Sequence, residues 1–133
     1  MIIIICGDRN WTDWNTINTI IASLPKDSTV IHGGANGVDT MAGVTARHSG
    51  LFVVPVTAKW KQYGRSAGPI RNSEMLKYGP DVVLAIHNDL SRSKGTVDMI
   101  KQATDAEVPI ITIKQGQYNT ITLKEKLKEV KTD

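Results

Sequence analysis

Five short runs in the 133-residue chain are apolar without alternation: residues 2–6, 29–32, 52–56, 81–86 and 108–113. A strand with one wet face alternates apolar and polar side chains. An unbroken β-branched run is instead buried on both faces, as in a parallel sheet covered by helices. The segments between the runs keep a helical period. Ile17, Ile20, Ile21 and Leu24 fall on one face of a helix that Thr12 or Asp13 can cap and Pro25 ends. A second helix spans residues 38–48, with Gly50 where a C-terminal glycine is expected. Pro69 suits a first helical position, which places a short helix over residues 70–77 after a long polar connection. Another helix runs from Gly95-Thr96 to about Ala106. This alternation predicts an α/β fold of three layers, a mainly parallel five-stranded sheet with helices on both faces. Pro55 puts the third strand at an edge or at its own end. Right-handed crossovers bring the loops after the strands to one sheet edge, where such folds bind ligands. Residues 1–113 are expected to form this domain. Residues 114–133 form a charged extension with Leu123, Leu127 and Val130 at helical spacing.

Cys6 is the only cysteine, which excludes a disulfide framework and a thiolate metal cluster. His32, His48 and His87 have no partners at ligand spacing, so no metal is expected. The formal charge of +3 permits phosphate or nucleic-acid partners without arguing for them. No apolar run approaches the ~18 residues of a membrane span. The chain is apolar from Met1 with no basic segment ahead, the pattern of a strand and not of a signal peptide. The expected compartment is the cytoplasm.

The stretch His32-Gly33-Gly34-Ala35-Asn36-Gly37-Val38-Asp39 leads from the second run into a helix. Glycines there leave backbone N–H groups at a positive dipole end, a place for phosphate. The register departs from G-x-G-x-x-G, which would put glycine at His32, and no G-x-x-x-x-G-K-S/T occurs. Glycines that merely permit positive φ give the same letters. Asp39 reads either as an acceptor for a ribose hydroxyl or as the last member of a capping box opened by Asn36. Gly7, Asp8 and Arg9 follow the first run, and Arg9 can reach a phosphate from there. Trp60 and Tyr63 offer a stacking surface, a hydrophobic lid or a subunit contact. Arg71 falls in the first turn of its expected helix, against the dipole, a cost that a bound anion would offset. Ser93-Lys94-Gly95-Thr96 opens the next helix as a second anion cradle, or as an ordinary cap.

Together, residues 33–39, Trp60, Tyr63-Gly64 and residues 67–75 and 93–96 resemble the SLOG superfamily, in particular its YspA/YpsA-like branch. The resemblance implies a Rossmann-like fold over residues 2–113 and a nucleotide pocket lined by Gly33, Gly34, Gly37, Asp39, Gly95 and Thr96. Further ligand contacts are expected from Gly7, Asp8, Arg9, Ala35, Asn36, Trp60, Arg71, Asn72, Ser93 and Lys94. The superfamily includes nucleotide-ligand sensors, the Lonely Guy phosphoribohydrolases and the DprA single-strand DNA binders. Arg71 is similar to the arginine of the Lonely Guy M-x-x-R-K motif, with Asn72 in place of its lysine. The P-G-G-x-G-T-x-x-E motif is matched only at Gly95-Thr96; its glutamate falls on Met99, with Asp98 one place earlier. A thioether cannot protonate a leaving base.

The leading expectation is a sensor or sequestering protein for a nucleotide-derived ligand (ADP-ribose-, NAD- or cyclic-nucleotide-like), with no cofactor required. One alternative is an N-glycosidic or phosphoribosyl hydrolase using Asp98, Asp39 or Glu74. The other is a DprA-like single-strand DNA binder, ranked last for want of interleaved basic and aromatic residues. A homo-oligomer, dimer or tetramer, is expected from the aromatic connection and the edge strand.

Overall fold

The computed structural model describes residues 1–130. Five strands, β1 (Ile2–Gly7), β2 (Thr29–His32), β3 (Phe52–Pro55), β4 (Val82–Ile86) and β5 (Ile110–Ile113), form one sheet in the order β3-β2-β1-β4-β5. Every pairing is parallel. The first strand is central, as its β-branched run demands: Ile4 pairs with Ile31 on one side and Val83 on the other. Side chains alternate between two cores. Ile3 and Ile5 pack on one face under helices α1 (Trp14–Ser23), α2 (Val38–His48) and α6 (Thr120–Val130). Ile4 and Cys6 pack on the other against Met75, Met99 and Ala103 of α4 (Ala67–Leu76) and α5 (Lys94–Asp105). Ile3, Ile4 and Ile5 are wholly buried, each stabilising the fold by about 2–3 kcal/mol. The layers are those of a Rossmann-like α/β sandwich.

Three expectations shift. The polar connection is largely helical: α3 (Trp60–Tyr63) and a 3-10 turn (Gly64–Ser66) lead straight into α4. Helix α4 therefore starts at Ala67, ahead of Pro69, and ends at Leu76. The first four N–H groups of a helix have no intrahelical partner, so proline costs little as its third residue. Arg71 then lies beyond the first turn, and the expected conflict with the dipole falls away. Of the two candidate caps for α1, Asp13 serves; it accepts hydrogen bonds from Asn15 N (3.0 Å) and the Thr16 hydroxyl (2.7 Å). In the charged tail, α6 packs Leu123 and Leu127 into the same core as α1. Residues 131–133, the end of the expected extension, lie outside the described residues.

Connections leave β1 toward β2 on one side and return to β4 on the other. The carboxyl ends of β1 and β4 thus flank a topological switch point, the usual ligand crevice of open α/β sheets. Among the described residues no helix is long and apolar enough to cross a membrane.

Candidate functional site

The turn from β2 to α2 holds most of its own backbone. Asp39 reaches back with one carboxylate oxygen, which accepts from Gly33 N (2.8 Å) and Ala35 N (3.4 Å). His32 Nδ1 accepts from Gly34 N at 3.0 Å. The Val38 amide donates to the carbonyl of Asp8, in the loop after β1, at 3.1 Å. The amides expected to await an anion are therefore mostly used inside the protein. Among the described residues, those of Asn36 and Gly37 have no hydrogen-bond partner.

The capping-box assignment is corrected. The N-cap is Gly37, at φ +74°, with no side-chain cap; Asn36 lies before it. A Cβ on Gly37 would collide with the Asp8 carbonyl, because the β1 loop packs against that side of the residue. Asp39 is 4% exposed and turned inward, so it shapes the turn. Burial pushes its carboxyl up to about 6, against the lowering pull of the Arg71 guanidinium and the Gly33 and Ala35 amides. His32 is held neutral by burial and by Arg47. With Nδ1 accepting, its proton sits on Nε2, which is buried without a partner against Gly43 of α2.

Arg71 of α4 crosses to this turn. Its Nη1 donates to the Gly33 carbonyl at 2.7 Å and its Nε to Asn72 Oδ1 at 2.9 Å. Asn72, only 2% exposed, passes the connection on: its amide donates to the Gly95 carbonyl (3.2 Å) and to Asp98 (3.0 Å). Gln102 donates to the same Asp98 oxygen at 2.8 Å and to the Pro69 carbonyl at 3.0 Å. One network thus joins the glycine turn, α4 and the start of α5. Among the described residues no carboxylate oxygen lies within 4.0 Å of Arg71, and its Nη2 has no partner.

At α5 the ordinary reading is part of the answer. Ser93 is the N-cap, its hydroxyl accepting from Thr96 N at 3.1 Å. Lys94 and Gly95 are exposed, Thr96 is buried, and a Cβ on Gly95 would meet nothing within 4 Å. Gly7 is packed against the Ile86 carbonyl and Val38, while Arg9 is exposed. Trp60 is 59% exposed, its ring edge against Gly68 of α4. Met99, where the Lonely Guy glutamate falls, is fully buried in the sheet core. Of the candidate acids, Asp98 is bound to Asn72 and Gln102 and Asp39 is buried. Glu74 is half-buried on α4. Among the described residues no group of three or more His, Cys, Asp or Glu side chains could hold a metal ion.

Two features escaped the sequence reading. His87 follows β4 at the switch point, 8% exposed, with Nδ1 accepting from Asp89 N (2.9 Å) and Nε2 4.0 Å from Asp8. Only the strand order, which sets β4 beside β1, marks it out. The second is the run Lys59-Trp60-Lys61-Gln62-Tyr63-Gly64-Arg65, all exposed. It interleaves basic and aromatic residues, correcting the expectation that no such run exists.

The geometry can be set beside known proteins. Residues 1–63 match the model of the YspA, cpYpsA-related SLOG family. Gene 61 protein of Mycobacterium phage D29 is 36% identical over 118 residues, covering 82% of this chain and 93% of that protein. The X-ray structure of DNA processing protein A (DprA) from Streptococcus pneumoniae superposes with a TM-score of 0.70 at 16% identity, over 98% of this chain. The chain spans 56% of that DprA chain, and the likeness is one of fold. On these matches the chain belongs to the YspA, cpYpsA-related SLOG family.

Proposed function

We propose that the chain binds a nucleotide-derived ligand through its phosphate, beside Arg71 and the turn of residues 33–37, as a sensor or sequestering protein. One observation carries this reading. A half-buried guanidinium is pinned by two neutral oxygens, Gly33 O and Asn72 Oδ1. Among the described residues its Nη2 is unused and no carboxylate oxygen lies within 4.0 Å, the charge of Asp39 acting on it only from farther off. A cation partly kept from water with no anionic group in contact is left short of hydrogen-bond acceptors, which a ligand can supply. Phosphate does so through charge-assisted bonds, joined by the open Asn36 and Gly37 amides at the positive end of α2. The ligand is ADP-ribose-, NAD- or cyclic-nucleotide-like, and no cofactor is needed. The protein works in the cytoplasm as a homo-oligomer, for which Phe52, 65% exposed on edge strand β3, is the support.

Calorimetry against a panel of these nucleotides tests the reading. Micromolar binding is expected, weakened at least ~10-fold by Arg71→Gln, since a charge-assisted bond contributes about 1.5–3 kcal/mol. Absence of binding across the panel overturns it. Chromatography of the same mixtures is expected to return the ligands intact, because the acid of the hydrolase route is replaced by buried Met99.

A second reading, single-stranded nucleic acid, is favoured by the exposed run at residues 59–65. It predicts gel-shift binding that weakens steeply with salt and is lost in Trp60→Ala.

A further inference from the structure

We propose that the hollow between the ends of β4 and β5 is a second subsite, built for the vicinal diol of a ribosyl group on the same ligand. This rests on the phosphate reading above. The hollow measures about 640 Å³ and opens at the carboxyl edge of the sheet. Its walls carry hydrogen-bonding capacity that the protein leaves unused. Asp89 spends one carboxylate oxygen on the Ser91 amide and hydroxyl; among the described residues the other oxygen has no partner. Gln117 accepts from Lys114 N through Oε1 (2.9 Å), which leaves its NH2 group unpartnered among the described residues. The Thr112 hydroxyl and the Lys114 ammonium are likewise without partners there.

A free carboxylate oxygen beside amide, hydroxyl and ammonium donors suits adjacent sugar hydroxyls, each both donor and acceptor. The Ser91 hydroxyl bond holds the Asp89 carboxyl below its usual range, so the acceptor stays ionised. That charge opposes a second phosphate at this place, despite Lys114.

The hollow lies along the same sheet edge as the phosphate site. Its wall includes His87, whose Nε2 faces Asp8 at 4.0 Å. Asp8 in turn packs on Gly37 and accepts the Val38 amide. The ends of β2, β1, β4 and β5 are neighbours in that order, about 4.8 Å apart. From the glycine turn to the gap between β4 and β5 is then about 12 Å, a reach that a diphosphate-linked ribose covers.

Calorimetry on the full chain with ADP and with 2′,3′-dideoxy-ADP, which lacks the diol, separates the two sites. ADP is expected to bind at least ~10-fold tighter than the dideoxy compound. Asp89→Asn, which keeps an acceptor for Ser91, is expected to abolish that advantage while leaving the affinity for the dideoxy compound unchanged. Arg71→Gln weakens both ligands. By NMR, the Gln117 side-chain amide is expected to shift with ADP and not with the dideoxy compound. Equal affinities in the unaltered chain, or an advantage that survives Asp89→Asn, overturn the diol subsite alone. Failure of both compounds to bind overturns the phosphate reading and this one with it.

Discussion

Helix α2 starts at Gly37, with φ +74° and ψ −127°, and helix α5 starts from Ser93 in ordinary extended backbone. At α2 most of the backbone is held by its surroundings: the Asp8 carbonyl takes the Val38 amide, and Asp39 and His32 take those of Gly33, Ala35 and Gly34, which leaves only the Asn36 and Gly37 amides open among the described residues. At α5 a serine hydroxyl caps one amide, and the glycine beyond it faces open space. The glycines of the first turn are imposed by the protein, because neighbouring backbone occupies the place of a side chain. Gly95 accepts from Asn72 through its carbonyl, but among the described residues nothing occupies the place of its missing side chain, so packing does not require a glycine there. Two stretches that both read as glycine-bearing helix openings thus owe their glycines to different causes, internal packing at α2 and no internal packing at α5.

Breaking the first half of this contrast gives the largest effect. Gly37→Ala combines a backbone region closed to L-residues with a collision at the Asp8 carbonyl. The expected loss is more than about 3 kcal/mol in urea unfolding. A loss under about 1 kcal/mol would show that the β1 loop yields easily.

The buried carboxylate gives the next effect. The Asp39 pKa is raised in the fold, from 3.8 to about 6, so the native state holds its proton more tightly than the unfolded chain does. Its contribution to stability is complete below pH ~4 and is lost as pH rises to ~6, a change of about 3 kcal/mol. Asp39→Asn keeps an oxygen for Gly33 and Ala35 and removes the titration. The difference in stability between variant and parent should therefore swing toward the variant across pH 4–6 and stay level above pH 7. Denaturant midpoints at pH 4, 5, 6 and 7 measure this; a flat difference would mean that water reaches the carboxylate.

Strands β1 and β4 were legible because burial on both faces writes an unbroken run, and residues 2–6 are central. The same kind of run at residues 52–56 is an edge strand with Phe52 65% exposed, so there the expected two-sided burial fails for want of a neighbouring strand and a covering helix. Helix α1 was legible through its buried Ile17, Ile20 and Ile21 stripe. The start of α4 was not, because Pro69 marks a first helical turn without saying which residue of it. Nor was the direction of Asp39. Whether it caps or turns inward depends on the Asp8 carbonyl, which comes from another strand and supplies what a cap would have supplied. Arg71 was singled out for a dipole conflict that the longer helix removes; its claim now rests on the Gly33 carbonyl it holds. His87 gained meaning only from the strand order.

The smallest effects on stability test the second half of the contrast. Ser93→Ala removes a cap and should cost about 1 kcal/mol. Gly95→Ala should leave stability unchanged or raise it by up to about 1 kcal/mol, since alanine is the better helix former and its methyl group meets nothing. In the binding experiment the order should reverse. If ligand oxygens approach the exposed start of α5, the Gly95→Ala methyl group stands in their way, and nucleotide affinity should fall while the melting temperature holds or rises. Such a split cannot come from damage to the fold, because the fold is not damaged. Unchanged affinity would confine the ligand to Arg71 and the turn before α2, leaving Gly95 as a helix residue with no part in binding.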